Sequence, residues 1–490
     1  EISCSLVGSE MCIRDRSESN NTNWDKAVLA MANVNIPYTY EKSLSLPYNV
    51  LHTDLKWSTN TEDKKRASKY IESILLMLRT KVLLNNGDLS KTEIVWFYPA
   101  SMTQNRFNKF KAEWENTFAT LFGAPISNII AASESVAPYY YHKAKKGATS
   151  TVVSVDIGGG TTDVLIVDKG EPKYLTSFRF AANTIFGDGY SYDSDSNGFV
   201  NKYKDIITNQ LETNNLRGLK AVLKSVLDKR VSTDVIAFLF SLASNKEIKK
   251  EKVEINFAKM LADDNRGKYV VILFYVAIVY HIAKLMKAKG FDMPRHMTFS
   301  GNGSKVLNIL STNDATLVRL TKIIFEEIYA QSYSIDGLDI IRPANSKEST
   351  CKGGIILTPF QSQDYGEIKD MKTILIGTDN EKFADVHMTY NDVTEADLDS
   401  VVDVIKEYIE FTFKLDKKFS FYDNFDVDRS IMNKVKDLCY RDIRTYLENG
   451  LAIKKSEIAQ DGADDNLEET LFFYPLVGII NAVVRNIYQM

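Results

Sequence analysis

Between Val152 and Val167 the chain reads Val-Val-Ser-Val-Asp-Ile-Gly-Gly-Gly-Thr-Thr-Asp-Val-Leu-Ile-Val. β-Branched residues on both sides of three glycines predict a strand, a tight turn and a second strand. Residues without a Cβ let the backbone approach an anion and turn its N–H groups inward. Gly158, Gly159 and Gly160, followed by Thr161 and Thr162, therefore read as a cradle for a polyphosphate. Asp156 ends the first strand beside that turn, where a carboxylate can hold a magnesium ion through its bound waters. Rossmann and Walker loops are excluded, because a strand rather than a helix follows and no Gly-Lys-Ser/Thr closes the turn. A plain β-hairpin turn is the other reading of the glycines taken alone.

Three more segments must position this hairpin. Residues 93–101 (Glu-Ile-Val-Trp-Phe-Tyr-Pro-Ala-Ser) predict a strand. A helix beginning near Thr103 follows, with Phe107, Phe110, Trp114, Phe118 and Leu121 on one face. Residues 129–139 (Ile-Ile-Ala-Ala-Ser-Glu-Ser-Val-Ala-Pro-Tyr) predict a strand, a loop and a helix, with Glu134 at the junction. Glu134 suits a water-positioning acceptor, and equally a carboxylate capping a helix start. Residues 297–306 (Met-Thr-Phe-Ser-Gly-Asn-Gly-Ser-Lys-Val) predict a strand and a small-residue turn entering a helix.

These segments, in this order, resemble the actin and heat-shock-chaperone ATPase superfamily, and within it the bacterial actin-like branch. The 156–163 run is similar to the second phosphate motif, 93–101 to the strand ending in Val-Pro-Ala, 129–139 to the element carrying Glu-Pro-x-Ala-Ala, and 297–306 to the adenosine motif. Ser135 stands where that family has proline, and Asn302 where glycine is common. The resemblance implies an α/β, two-lobed, ribonuclease-H-like fold holding Mg-ATP between its lobes. Asp156 would lie near the metal and Glu134 on the attacking water. Gly158–Thr161 would face the β- and γ-phosphates with Thr162 beside them, and Gly301, Asn302, Gly303 and Lys305 would lie at the nucleoside. Residues 183–189 resemble the glycine-acid turn into the second lobe, and 351–357 the closing glycine turn. A small-molecule kinase of the sugar and acetate kinase branch, or a scaffold that binds nucleotide without hydrolysing it, are the alternatives.

The superfamily's first phosphate hairpin, Asp-x-Gly-Thr/Ser, does not occur before residue 90. Residues 1–16 resemble translated adaptor text fused to a truncated reading frame, and are set aside from the fold. On that reading the chain lacks one of two phosphate clamps and binds nucleotide weakly or not at all. Residues 53–57 faintly resemble a segment bearing a phosphate-contacting lysine.

With 490 residues the chain exceeds one ordinary domain, and its net charge of −4 argues against a general nucleic-acid or anionic-membrane surface. Outside residues 1–16 only Cys351 and Cys439 remain, which suits a reducing cytoplasm and gives no metal spacing. The apolar stretch 270–283 is too short to span a bilayer and reads as a buried helix. The expected organisation is a first-lobe remnant and crossover over 17–180, a second lobe with a helical insertion over 181–360, and a mainly helical extension over 361–490. Within the last, 371–376 suggests a strand, and 395–413, 429–447 and 468–488 suggest helices. Asp193, Asp195, Asn197 and Gly198 match half of a calcium loop, but Lys204 occupies the position that needs a glutamate, so a polar surface loop is expected. The lysines at 143, 145 and 146 read as a solvated face. ATP or ADP, and an unknown protein partner or self-association, are the expected partners.

Overall fold

The computed structural model describes residues 13–15, 50–52, 61–356 and 389–490, apart from a few loop positions that include 100, 101, 103, 135, 147–150 and 462–466. The expectations for 53–57, Ser135, most of 1–16 and the strand at 371–376 lie outside the described residues.

Among the described residues nine strands fall into three sheets. β1 (Ile13–Asp15) and β2 (Val50–His52) pair antiparallel, whereas β3 (Ile94–Tyr98) and β4 (Ile129–Ser133) pair in parallel. The remaining strands are β5 (Val152–Ile157), β6 (Thr162–Asp168), β7 (Glu171–Phe178), β8 (His296–Ser300) and β9 (Asp339–Ile341). They form one sheet in the order β7-β6-β5-β8-β9. Within it β6 alone runs against the others. The chain is thus mixed α/β, with helices over both faces of this sheet. β5 and nearly all of β6 are buried, which explains their almost unbroken apolar run. Lys169 (φ 51°) and Gly170 (φ 82°) make the two-residue turn between β6 and β7. Lys143 is not solvated as expected: its Nζ donates to Gly170 O at 3.2 Å, as does Tyr139 OH, so the helix Val136–Lys146 clamps that turn.

Side chains alternate between two cores. Val152, Leu165, Val167 and Leu175 meet Val136, Ala137, Tyr139 and Tyr140 of the helix Val136–Lys146 on one face. Val153, Val155, Ile157, Val164 and Ile166 point to the other, into the large core around the helix Lys268–Ala288. That helix is long and apolar enough to cross a membrane, yet 94% of its apolar window is buried inside the protein. A third core joins the helix Thr61–Leu84 to Gln104–Phe122, through Ile71, Ile74 and Leu75 against Trp114 and Phe118, with Trp96 of β3 stacked on Trp114 at 5.5 Å. The stripe expected from Phe107 to Leu121 faces this core.

Two local expectations are corrected. Residues 351–357 do not form a glycine turn: Cys351 to Ile356 lie in the helix Ser346–Ile356. A Cβ at Gly353 would stand 1.7 Å from Ala137 O, and one at Gly354 2.3 Å from Phe97 Cζ. Those glycines let this helix press against the helix Val136–Lys146 and against β3. The single helix expected over 429–447 is broken, because Asp442 adopts φ 55° between Met432–Cys439 and Ile443–Asp461. The helical extension packs into the rest of the fold. Leu398, Ile405, Leu447, Phe473 and Ile480 belong to the same core as β5 and the helix Lys268–Ala288, and a Cβ at Gly198 would meet Val484 O at 1.8 Å. In the calcium-like stretch, Asn197 Oδ1 caps the helix Gly198–Thr213 by accepting from Phe199 N and Val200 N, and Asp193 accepts from Asp195 N.

His281 of the core helix is fully buried, stacked on Phe472 at 5.4 Å and edge-on to Phe473 at 5.0 Å. Neither ring nitrogen has a hydrogen-bond partner, and burial lowers the imidazole to about 3. The folded state keeps the ring neutral while the unfolded chain protonates it near pH 6.5. Stability is therefore full above that pH and declines as pH falls toward the folded value, with about 2 kcal/mol lost by pH 5. Urea unfolding at pH 7 and pH 5 should show this loss in the wild type and a smaller one in His281→Leu. The same pH dependence in both would remove His281 as its source.

Candidate functional site

The register of β5 and β6 builds the site. Because Ile157 pairs with Thr162, Asp156 stands directly opposite Asp163. β8 places Ser300 beside Asp156, and β7 places Ser177 beside Asp163. The row Ser177, Asp163, Asp156, Ser300 thus crosses four strands on the face that carries Val152, Leu165 and the helix Val136–Lys146. All four are buried, and Ser300 Oγ donates to Asp156 Oδ2 at 3.0 Å. Two buried carboxylates on adjacent strands disfavour each other's charge unless a cation or hydrogen-bond donors offset it.

Above this row the glycine turn is open. Gly158 N donates to Thr161 O at 2.8 Å, closing the hairpin. Gly159 and Gly160 are half-buried, and a Cβ on Gly160 would meet nothing within 4 Å. The turn is held from behind: Ala182 N and Asn183 N, at the start of the short helix Ala182–Phe186, donate to Gly158 O and Gly159 O at 3.3 and 2.8 Å. Thr161 is buried, and Thr162 Oγ1 donates to Phe180 O at 2.6 Å, which commits that hydroxyl to the scaffold.

The turn after β8 presses on the same hairpin. Gly301 has φ 79°, and a Cβ there would lie 2.2 Å from Ile157 O and 2.4 Å from Asp156 Oδ1; at Gly303 it would lie 2.1 Å from Gly158 O. Only glycine fits at either position, so two segments some 140 residues apart form one surface. Asn302 and Lys305 are exposed on its outer side. Both Asp156–Gly158 and Ser300–Gly301 lie at the carboxyl ends of parallel strands, the usual location of ligand sites in open α/β sheets.

Glu134 sits at the carboxyl end of β4 in the other sheet. It is buried, and its N–H donates to Tyr98 O at 3.0 Å. The helix that follows lies on the face bearing Asp156 and Asp163. Asp188, in the glycine-acid turn, accepts from the N–H and hydroxyl of Ser232 and so caps the helix Ser232–Ser241; burial raises its carboxyl above the usual range.

Asp163 and Ser300 escaped the sequence reading as site residues. A signal for Asp163 existed, since counting outward from a four-residue turn pairs 157 with 162 and 156 with 163. Ser300 could be found only from the β5–β8 register. Among the described residues no group of three or more His, Cys, Asp or Glu is gathered as in a protein-built metal cage. Two carboxylates fit a hydrated Mg²⁺, which keeps most of its waters and takes one or two protein carboxylates plus substrate phosphates.

No family model matches the chain, and no curated protein matches it. Among solved structures it is similar to the ethanolamine utilization protein EutJ from Carboxydothermus hydrogenoformans, at 12% identity and TM-score 0.30, over 65% of this chain and 84% of that one. It is also similar to MreB5 of Spiroplasma citri bound to ADP, at 13% identity and TM-score 0.28, over 66% of this chain and 82% of that one. The same protein bound to AMPPNP aligns at 12% identity and TM-score 0.26, over 61% and 78%. At such scores these likenesses assign no role to any residue.

Proposed function

We propose that this chain is a nucleotide-binding protein of the actin and heat-shock-chaperone ATPase superfamily, nearest its bacterial actin-like branch and cytoplasmic, in which Mg-ATP lies between two lobes and slow hydrolysis changes their closure. The observation that carries the reading is the contact of Gly301 and Gly303 with the backbone of Ile157 and Gly158. It makes one surface of the two turns, above two buried carboxylates. Further support comes from the strand order β7-β6-β5-β8-β9 with one reversed strand, the arrangement of a ribonuclease-H-like lobe.

In this reading the N–H groups of Gly159, Gly160 and Thr161 bind the β- and γ-phosphates, Gly158 N–H being committed to Thr161 O, and Gly301 and Gly303 let the nucleoside lie against the backbone. Asp156 and Asp163 hold the hydrated Mg²⁺, which supplies charge neutralisation at the phosphates. Glu134 accepts a hydrogen bond from the attacking water and orients it. The lobes divide near the β4-to-β5 connection, inside the 17–180 stretch that holds the first lobe and the crossover, and 181–360 continues the second lobe.

Calorimetric titration with Mg-ATP, repeated in EDTA, tests the binding. Asp156→Ala is expected to weaken Mg-dependent binding by roughly 10- to 100-fold, as loss of a metal's outer-shell partner does. Glu134→Ala should spare binding and slow phosphate release by about 100-fold or more. Binding untouched by Asp156→Ala would refute the metal assignment, and unchanged turnover in Glu134→Ala would remove that residue from the mechanism. Phosphoryl transfer to a sugar or carboxylate would point to the kinase branch instead.

A further inference from the structure

The segment that braces the glycine turn from behind is also the one that anchors the C-terminal helices. Residues 180–183 bond the hairpin through Phe180 O, Ala182 N and Asn183 N. Arg179, immediately before them, donates from its backbone N–H to Glu469 Oε2 at 3.0 Å and from its guanidinium to Glu457. Glu469 is held in turn by Lys454 Nζ at 3.3 Å and Tyr474 OH at 3.0 Å. Lys454 and Glu469 are both buried. Phe473 stacks on Phe178 at 4.0 Å and lies against Phe180 at 4.7 Å. The six residues 178–183 therefore touch the turn on one side and the helices Ile443–Asp461 and Phe473–Asn486 on the other.

We propose that these two C-terminal helices are a conformational readout of the glycine turn, so that its occupancy by a nucleoside triphosphate is transmitted through Arg179 and Phe473 to their packing. This rests on the nucleotide reading above. A displacement of Gly158 and Gly159 carries Ala182 and Asn183 with it through their shared hydrogen bonds. Neither the close-packed rings nor the buried ion pair can absorb the movement by deforming gradually. Linkage makes the coupling reciprocal, so loosening the helices changes nucleotide affinity by the same factor.

Hydrogen exchange on the full chain, with Mg-ATP, with Mg-ADP and without nucleotide, tests the proposal. In the wild type Mg-ATP should slow exchange at 158–162 and also at 469–476, and Mg-ADP should slow the second segment less. Arg179→Met and Glu457→Gln, at positions partly exposed to solvent, should keep protection at 158–162, lose at least half of it at 469–476, and shift the nucleotide Kd about fivefold or more. Protection of the turn with no change at 469–476, or the same change in both variants as in the wild type, would overturn the proposal. Protection of neither segment would show instead that the nucleotide reading fails. Thr162→Val then decides the coupling without nucleotide: faster exchange at 469–476 upholds the link, and unchanged exchange ends it.

Discussion

Gly303→Ala is expected to destabilise the protein by about 1–3 kcal/mol and to abolish measurable nucleotide binding. On an ordinary helical turn the same substitution would stabilise by up to about 1 kcal/mol, because alanine is the better helix former. Here the added methyl would lie 2.1 Å from Gly158 O and 2.8 Å from Ile157 O. Both are backbone atoms of a central strand and its turn, so they cannot rotate aside. The turn must lift off the hairpin, and the surface that joins phosphate and nucleoside opens. Gly160→Ala is the matched control. Its Cβ meets nothing within 4 Å, so stability should stay within about 0.5 kcal/mol of wild type. Binding should nonetheless weaken, because the methyl occupies the open side of the cradle. Urea denaturation and Mg-ATP titration on both variants separate the outcomes. A Gly303→Ala protein as stable as wild type would show that the two turns are not in contact.

Lys454→Met is expected to cost about 3–5 kcal/mol, as removing one partner of a buried ion pair does. Lys454 and Glu469 are 4% and 1% exposed, so neither charge has water to fall back on. Burial alone would raise the Glu469 carboxyl, but Lys454 and Arg179 outweigh it and hold it below the usual range. Its contribution is accordingly full above the unfolded carboxylate value and lost as pH falls through the lower folded one. Without Lys454 the carboxylate is under-compensated, so the variant's penalty should shrink as the pH approaches 4 and Glu469 takes up a proton. Lys454→Met combined with Glu469→Leu should recover most of the loss, because no lone charge is then buried. Denaturation at pH 7 and pH 4 checks both statements. A single mutant with wild-type stability at pH 7 would mean that the pair contributes nothing to the fold.

Much of this architecture could be read along the chain, for reasons that differ by element. The hairpin was legible because glycines and β-branched residues act locally, and the stripe from Phe107 to Leu121 because helical period is local too. The apolar run 270–283 was legible as a buried helix, but its length was not: the helix runs from Lys268 to Ala288, long enough to cross a bilayer, and only the packing around it shows that it is buried in the fold. At 429–447 the apolar period continued straight through Asp442, and periodicity says nothing of a single residue's φ.

The amino-acid order alone determined the glycine hairpin and the strands and helix that flank it, and that Asp156 stands beside the turn. Folding in three dimensions decided that Asp163 and Ser300 flank that carboxylate, that Gly353 and Gly354 are contact points between helices rather than a turn, and that residues beyond 390 share a core with the sheet. The physical reason is that local composition fixes which face of an element avoids water, whereas the partner covering that face comes from hundreds of residues away. Arg179 meets Glu469 across 290 positions, and no spacing in the chain encodes that meeting.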